Sequence, residues 1–103
     1  MHAHVETRRP AIAEVCRRFG ICKLEVFGSA STGGGFDPER SDVDLLVQFG
    51  NAGAADPLGE YFGLKSQLEG VLGRPVDLLV DGTVRNPYVL AGINASRHLV
   101  YAA

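Results

Sequence analysis

The sequence predicts a small α/β domain in which a β-sheet is covered by helices. The chain has 103 residues, of which 46% are hydrophobic and 21% are charged, a composition typical of a globular protein with one core. Segments with helically spaced apolar residues alternate with short apolar runs that have the length of buried strands. We therefore expect residues 1–103 to form a single domain.

The first half of the chain predicts a helix and two strands around a polar connection. Apolar residues at helical spacing between Thr7 and Gly20 indicate the helix, and the run from Ile21 to Phe27 indicates the first strand. The connection over residues 28–41 is rich in Gly, Ser, Thr, Asp and Pro and includes three consecutive glycines. The apolar run over residues 43–49 predicts the second strand.

The second half predicts two helices and a third strand. After a Gly- and Ala-rich connection through Ala55, helical spacing indicates a helix from Asp56-Pro57 to a stop at Gly73. Residues 76–80 predict the third strand, which ends at a turn. Asn86-Pro87 begins a last helix, which we expect to carry Leu90, Ile93, Val100 and Tyr101 on its apolar face.

Two of the predicted strands each carry an aspartate in an otherwise apolar run. Residues 43–47 and 76–80 are both Val-Asp-Leu-Leu-Val, a pattern typical of strands buried on both faces. A buried charge without a partner is costly, and neither segment contains Lys or Arg. The carboxylates of Asp44 and Asp77 therefore need water at a strand end or a bound cation.

Three aspartates are candidate metal ligands and catalytic residues. Asp42 and Asp44 have the i, i+2 spacing that directs two side chains to one face of a strand, with Cα atoms about 6.5 Å apart. Asp77 can add a third carboxylate if the two strands are neighbours. Carboxylates without nearby His or Cys favour Mg²⁺ over Zn²⁺. Two such ions would suit phosphoryl transfer.

Gly28-Ser29 is a candidate phosphate-binding turn at the end of the first strand. The glycine permits close approach of a phosphate, and the serine hydroxyl and the following backbone N–H groups can donate hydrogen bonds to phosphate oxygens. A Gly-Ser pair is by itself weak evidence for a phosphate site. The strand before it and the Asp-x-Asp strand after it make the pattern specific.

Together these motifs resemble the signature of the polymerase-beta-type nucleotidyltransferase superfamily. Phe27-Gly28-Ser29 is followed, after twelve further residues, by Asp42-Val43-Asp44 and an apolar strand, and Asp77 lies on a later strand. Over residues 10–101 the order of elements is similar to that of the minimal nucleotidyltransferase (MNT) branch. The resemblance implies a mixed sheet with helices on one side.

The resemblance also implies roles for the site residues. Gly28 and Ser29 would hold the triphosphate of ATP, and Asp42 and Asp44 would bind two Mg²⁺ ions. Asp77 would help to ligate metal and would polarise the acceptor hydroxyl. Members of this branch are commonly antitoxins that transfer adenylate to a tyrosine of a HEPN-domain ribonuclease toxin, so the implied partner is such a toxin.

Departures from the family pattern leave a second hypothesis open. Ala30 and Thr32 stand where many relatives carry basic residues, so phosphate charge would fall to Mg²⁺, to backbone amides or to an arginine such as Arg40. The competing hypothesis is a catalytically weak antitoxin that neutralises its toxin by binding alone. A nucleotidyltransferase acting on small molecules would need an acceptor-binding domain that 103 residues hardly accommodate.

Charge and hydropathy limit the other partners. The net charge is −2, and the one basic cluster, over residues 8–18, is typical of a solvated helix face, so we do not expect direct nucleic-acid binding. The chain has no apolar run near the roughly 20 residues of a membrane span, and we expect a cytoplasmic protein without membrane contact. Arg97 and His98 are interpreted as exposed residues of the last helix.

Overall fold

The computed structural model describes residues 1–50 and 55–103. In those residues the elements are α1 (Ala3–Glu6), α2 (Arg9–Arg18), β1 (Ile21–Phe27), α3 (Ser29–Thr32), β2 (Val43–Phe49), α4 (Pro57–Leu72), β3 (Val76–Val80), α5 (Pro87–Ser96) and β4 (His98–Ala102). The predicted Gly- and Ala-rich connection before Ala55 lies mostly outside the described residues. Over the described ranges, no helix combines the length and apolarity needed to cross a bilayer.

The four strands form one mixed sheet in the order β3-β2-β1-β4. β1 pairs antiparallel with both β2 and β4, and β2 pairs parallel with β3. The parallel pair is joined through α4, as such pairs require a crossover connection. The predicted small mixed sheet flanked by helices is confirmed.

The predicted last helix was wrong in its C-terminal half. α5 ends at Ser96, and the residues from His98 onward form the edge strand β4 on β1. Val100 and Tyr101, expected on the helix, therefore lie on a strand, and Val100 is buried in the core from there. The run Leu-Val-Tyr favours a strand, and the open edge of β1 supplies its hydrogen-bonding partner. The short helix α1 was not predicted either.

The main core lies between one face of the sheet and the helices α2 and α4. Alternate residues of a strand point to the same face, and those of β1 and β2 on this side are fully buried. The buried residues shared by the two layers include Ile12, Val15, Leu24, Val26, Leu45, Val47, Leu64 and Leu68. The residues between them on the strands, among them Asp44, belong to the opposite face.

Helix α5 covers part of that opposite face. Ile93 is buried but lies outside the main core cluster. Arg97, which caps α5, donates a hydrogen bond to Glu25. Because the strand neighbours Leu24 and Val26 point into the core, Glu25 lies on the opposite face of the sheet. The expectation of helices on one side of the sheet is therefore met by α2 and α4 but not by α5.

Arg97 holds a buried carboxylate beneath α5. The Glu25 side chain is only 11% exposed and accepts hydrogen bonds from Nε of Arg97 at 3.0 Å and from Nη2 at 2.5 Å. Lys23 Nζ lies 3.3 Å from the same carboxylate. The hydrogen bonds from Arg97 hold the pKa of Glu25 below its ordinary value, although burial alone would raise it. Arg97 is thus a structural ion-pair residue and not the exposed helix residue that was predicted.

We expect Arg97→Ala to lower the free energy of unfolding by about 2–3 kcal/mol at neutral pH, because it leaves a buried carboxylate with one partner fewer. The folded pKa of Glu25 lies below the unfolded value, so this stabilisation is complete above the unfolded pKa and is lost as pH falls through the folded pKa. Urea unfolding at about pH 7 and about pH 3 should show a smaller difference from wild type at the lower pH. Arg17→Ala, which breaks an exposed pair with Glu14, is the matched control and should change little.

Candidate active site

The sheet brings the predicted motifs to one end of the molecule. Phe27, the last residue of β1, lies opposite Asp44 in the antiparallel ladder, and Asp44 lies opposite Asp77 in the parallel ladder. Paired positions on neighbouring strands direct their side chains to the same face, so the two carboxylates share the face opposite the main core. Gly28 and Ser29 follow β1 directly and therefore lie at the same end.

Asp42 lies at the rim of this group. β2 begins at Val43, so Asp42 precedes the strand by one residue, and its side chain is 62% exposed. Its Oδ1 atom is 3.9 Å from Nη2 of Arg74. Strand register thus brings Asp44 and Asp77 together, whereas Asp42 adjoins them from the preceding connection.

Gly28 makes the turn from β1 into α3 in a conformation that is close to glycine-only. Its φ is 71° and its ψ is −151°, a sparsely populated region in which a side chain is strained. A Cβ atom built on Gly28 would lie 2.5 Å from Oδ2 of Asp44. Glycine is therefore needed here both for the backbone conformation and for the close approach of the Asp44 carboxylate.

The positions that follow Ser29 supply no cation to the site. Ala30 is 1% exposed and belongs to the core, and Thr32 lies on the surface with Oγ1 3.5 Å from the carbonyl oxygen of Gly28. Arg40, the candidate cation from the sequence, has an 87% exposed side chain whose Nε is 4.0 Å from Asp37. The structure therefore does not bring Arg40 to the three aspartates.

Arg74 is the residue that sequence reasoning missed. Its Nε donates to the carbonyl oxygen of Ser41 at 2.8 Å, and its Nη1 donates to that of Glu39 at 2.9 Å. Arg74 thereby fixes the segment that leads into Asp42. The sequence does place Arg74 three residues before Asp77, and this spacing was the available indication that Arg74 lies at the same end of the sheet as the aspartates.

Asp44 lies in an environment that disfavours its charge. Burial, and then the charges of Asp77 and Asp42, raise the pKa of Asp44 above its ordinary value. Within the described residues, Arg74 beside Asp42 is the only basic side chain within 4.0 Å of any of the three. A cation bound near Asp44 and Asp77 would relieve this repulsion.

The donor set suits Mg²⁺ that arrives with a nucleotide. In residues 1–50 and 55–103, no group of three or more His, Cys, Asp or Glu side chains is arranged to hold a metal by itself. Magnesium is ordinarily held by one or two carboxylates, and substrate phosphates and water complete its octahedron. Two carboxylates in register, with a third adjoining and the Gly28 turn packed against Asp44, fit that mode of binding.

The chain matches a known family over most of its length. The model of the family described as Nucleotidyltransferase domain matches residues 9–99. Protein MJ0128 of Methanocaldococcus jannaschii, provisionally named a protein adenylyltransferase, is 33% identical over 76 residues, which cover 74% of this chain and 72% of the relative. The chain belongs to the nucleotidyltransferase domain family, and it is a nucleotidyltransferase.

Solved structures share the fold. A chain provisionally described as a minimal nucleotidyltransferase superposes with a TM-score of 0.70 at 34% identity, covering 95% of each chain. A chain from the complex of a tri-AMPylated Shewanella oneidensis HEPN toxin with an MNT antitoxin superposes with a TM-score of 0.64, covering 96% of this chain and 73% of that one. The second pair is 15% identical, so it shows a common fold alone. The first confirms the predicted minimal nucleotidyltransferase fold.

Proposed function

We propose that this nucleotidyltransferase moves adenylate from ATP to a hydroxyl group of a protein in a magnesium-dependent reaction. The acceptor in this proposal is a tyrosine of a cognate HEPN-domain ribonuclease toxin, and the chain acts as the antitoxin. The single observation that carries the proposal is the placement of Asp44 against Gly28 on one side and opposite Asp77 on the other. This placement puts the Gly28-Ser29 turn beside two carboxylates, Asp44 and Asp77, that have no basic side chain within 4.0 Å among the described residues.

Two similarities support the choice of substrate and acceptor. MJ0128 bears the provisional name of a protein adenylyltransferase and matches most of this chain. The shared fold with a chain from a tri-AMPylated HEPN toxin complex supports adenylate as the transferred group and a HEPN toxin as the partner. The same proposal places the protein in the cytoplasm, where ATP and the RNA targets of a ribonuclease are found.

The chain's own residues would bind and orient the nucleotide. The Ser29 hydroxyl and the backbone N–H groups of the turn after Gly28 would donate hydrogen bonds to the triphosphate. Asp42 and Asp44 would hold Mg²⁺, and Asp77 would complete the carboxylate set. When bound, the metal supplies charge neutralisation at the α-phosphate and at the departing pyrophosphate.

The reaction forms one oxygen–phosphorus bond and breaks another. The acceptor oxygen attacks the α-phosphorus in line with the bridging oxygen to the β-phosphate, and the electron pair of the broken bond leaves with pyrophosphate. Asp77 would polarise the acceptor hydroxyl and take its proton, because its side chain is exposed on the face that Asp44 shares. The product is an adenylylated protein.

We expect a HEPN-domain protein encoded beside this chain to gain the mass of one or more AMP units when both are incubated with ATP and Mg²⁺. Intact-protein mass spectrometry measures the gain, and a reaction with EDTA serves as the control. Parallel reactions with GTP, CTP and UTP establish the base preference. An unmodified partner in every reaction, with folded protein that binds magnesium-ATP, would contradict the transfer reaction.

One observation favours binding alone as the second candidate function. The turn after Gly28 offers no basic side chain, because Ala30 is buried and Thr32 is uncharged. A weakly catalytic antitoxin would still cover its toxin. Inhibition of the partner without any added mass would support this alternative.

A further inference from the structure

The turn at Gly28 is hydrogen-bonded to the C-terminal part of the chain. Its backbone N–H donates to Oγ of Ser96 at 3.0 Å, across 68 residues of sequence. Ser31, which is buried in α3, donates its hydroxyl to the carbonyl oxygen of Ser96. Its Oγ also lies 2.6 Å from Nδ1 of His98. The junction between α5 and β4 therefore contacts the turn at two points.

The proton positions at this junction follow from the partners. A hydroxyl has one proton, and with that of Ser31 on the Ser96 carbonyl, a protonated Nδ1 of His98 can donate to Ser31 or to the same carbonyl oxygen, which lies 3.2 Å away. The Ser96 hydroxyl accepts from Gly28 and donates to the carbonyl oxygen of Gly92 at 3.2 Å. The hydroxyl protons of Ser31 and Ser96 are therefore both used within the protein, and neither hydroxyl has a proton to donate to a phosphate.

These contacts fix a conformation that the turn would not keep unaided. A residue in the region of φ and ψ that Gly28 occupies stays there only when the surrounding structure determines it. Helix α3 has only four residues, too few to be stable alone. Ser96 holds the N–H at the start of the turn, and Ser31 ties α3 to the same junction.

We propose that Ser96, together with Ser31 and His98, positions the Gly28-Ser29 turn for the triphosphate of magnesium-ATP. The inference rests on the proposed function, in which this turn binds the nucleotide. The three are positioning residues, because they act through Gly28 and α3 and do not contact the nucleotide. The strand β4 and the end of α5 thus belong to the support of the nucleotide site, although they follow it by almost 70 residues.

Ser96→Ala and Ser96→Thr test this role as a pair. Alanine removes the acceptor of the Gly28 N–H bond, whereas threonine keeps a hydroxyl at the same place. We expect the Kd for magnesium-ATP, measured by calorimetry, to rise about tenfold in Ser96→Ala and to stay within about twofold in Ser96→Thr. Ser66→Ala, an exposed serine on α4, is the control and should leave the Kd unchanged.

A second readout separates positioning from general stability. The amide proton of Gly28 should exchange slowly with solvent in wild type and in Ser96→Thr, and faster in Ser96→Ala. Ser31→Ala removes the other tie to the junction, and it provides the same calorimetric test if Ser96→Ala does not fold.

The outcomes are distinct. Equal affinity in wild type and Ser96→Ala would overturn the positioning role. Equal loss in Ser96→Ala and Ser96→Thr would overturn it too, since the hydroxyl would not be the cause. A wild-type protein that does not bind magnesium-ATP would instead overturn the proposed function, and this inference would fall with it.

Discussion

The double variant Asp42→Asn with Asp44→Asn is expected to transfer AMP to the partner at least about a thousandfold more slowly than wild type. The two carboxylates are proposed to hold the Mg²⁺ that neutralises charge developing in the transition state, an interaction that simple docking does not use. Such stabilisation amounts to several kcal/mol, and each 1.4 kcal/mol or so is a tenfold change in rate. The initial rate of mass gain by the partner measures the effect.

Two controls test whether the loss of transfer activity comes from the lost carboxylates and not from unfolding. Glu14→Gln removes an exposed carboxylate on α2 and should transfer normally. Asp44→Asn should melt no lower than wild type in EDTA, because the folded pKa of Asp44 is raised by burial and by its neighbours. Above the unfolded pKa the charged carboxylate therefore costs stability, and asparagine removes that cost. A large drop in Tm would instead identify Asp44 as a structural hydrogen-bonding residue.

The double variant Asp42→Asn with Asp44→Asn also separates catalysis from binding. Complex formation with the partner should persist, since the charges removed lie at one end of the sheet and not across a broad surface. If the double variant inhibits the partner as well as wild type does, and neither adds mass, the antitoxin acts by binding alone. Transfer at the wild-type rate would refute the role of Asp42 and Asp44 in holding the metal.

Local sequence pattern predicted the strands that build the site. The structure places β1, β2 and β3 at the predicted residues 21–27, 43–49 and 76–80. Apolar, β-branched runs bounded by glycine and turn residues have few alternatives to a buried strand. The sequence left open whether the strands that carry Asp44 and Asp77 are neighbours, and the parallel ladder shows that the two residues pair in register.

Long-range contacts decided what the sequence pattern could not predict. The apolar spacing of residues 93, 100 and 101 is compatible with a helix, and only the open edge of β1 makes a strand of the last two. Arg74 bonds a carbonyl 33 residues earlier, and Ser96 bonds an N–H 68 residues earlier. No local pattern shows such a pairing, so the support of the site emerged only from the fold.

Gly28→Ala is expected to weaken magnesium-ATP binding at least about a hundredfold, because the added methyl group displaces a proposed metal ligand. Its Cβ would lie 2.5 Å from Oδ2 of Asp44, so the carboxylate or the turn must move. A side chain in this region of φ and ψ also costs of order 1–3 kcal/mol of folding free energy. Calorimetry with magnesium-ATP measures the first effect, and urea unfolding measures the second.

Gly20→Ala is the control for backbone strain, because Gly20 has a φ of 65° but no atom within 4 Å of an added Cβ. It should cost about 1–2 kcal/mol of stability and leave nucleotide affinity unchanged. Asp44→Ala should gain more stability in the Gly28→Ala background than in wild type, since only there does it also remove the clash, while the strained φ remains. If the two glycine variants weaken binding equally, general destabilisation is the cause. If Asp44→Ala gains no more stability in the Gly28→Ala background than in wild type, the contact between Gly28 and Asp44 does not restrict this position, and the proposed placement of the Gly28 turn against a metal ligand loses its geometric basis.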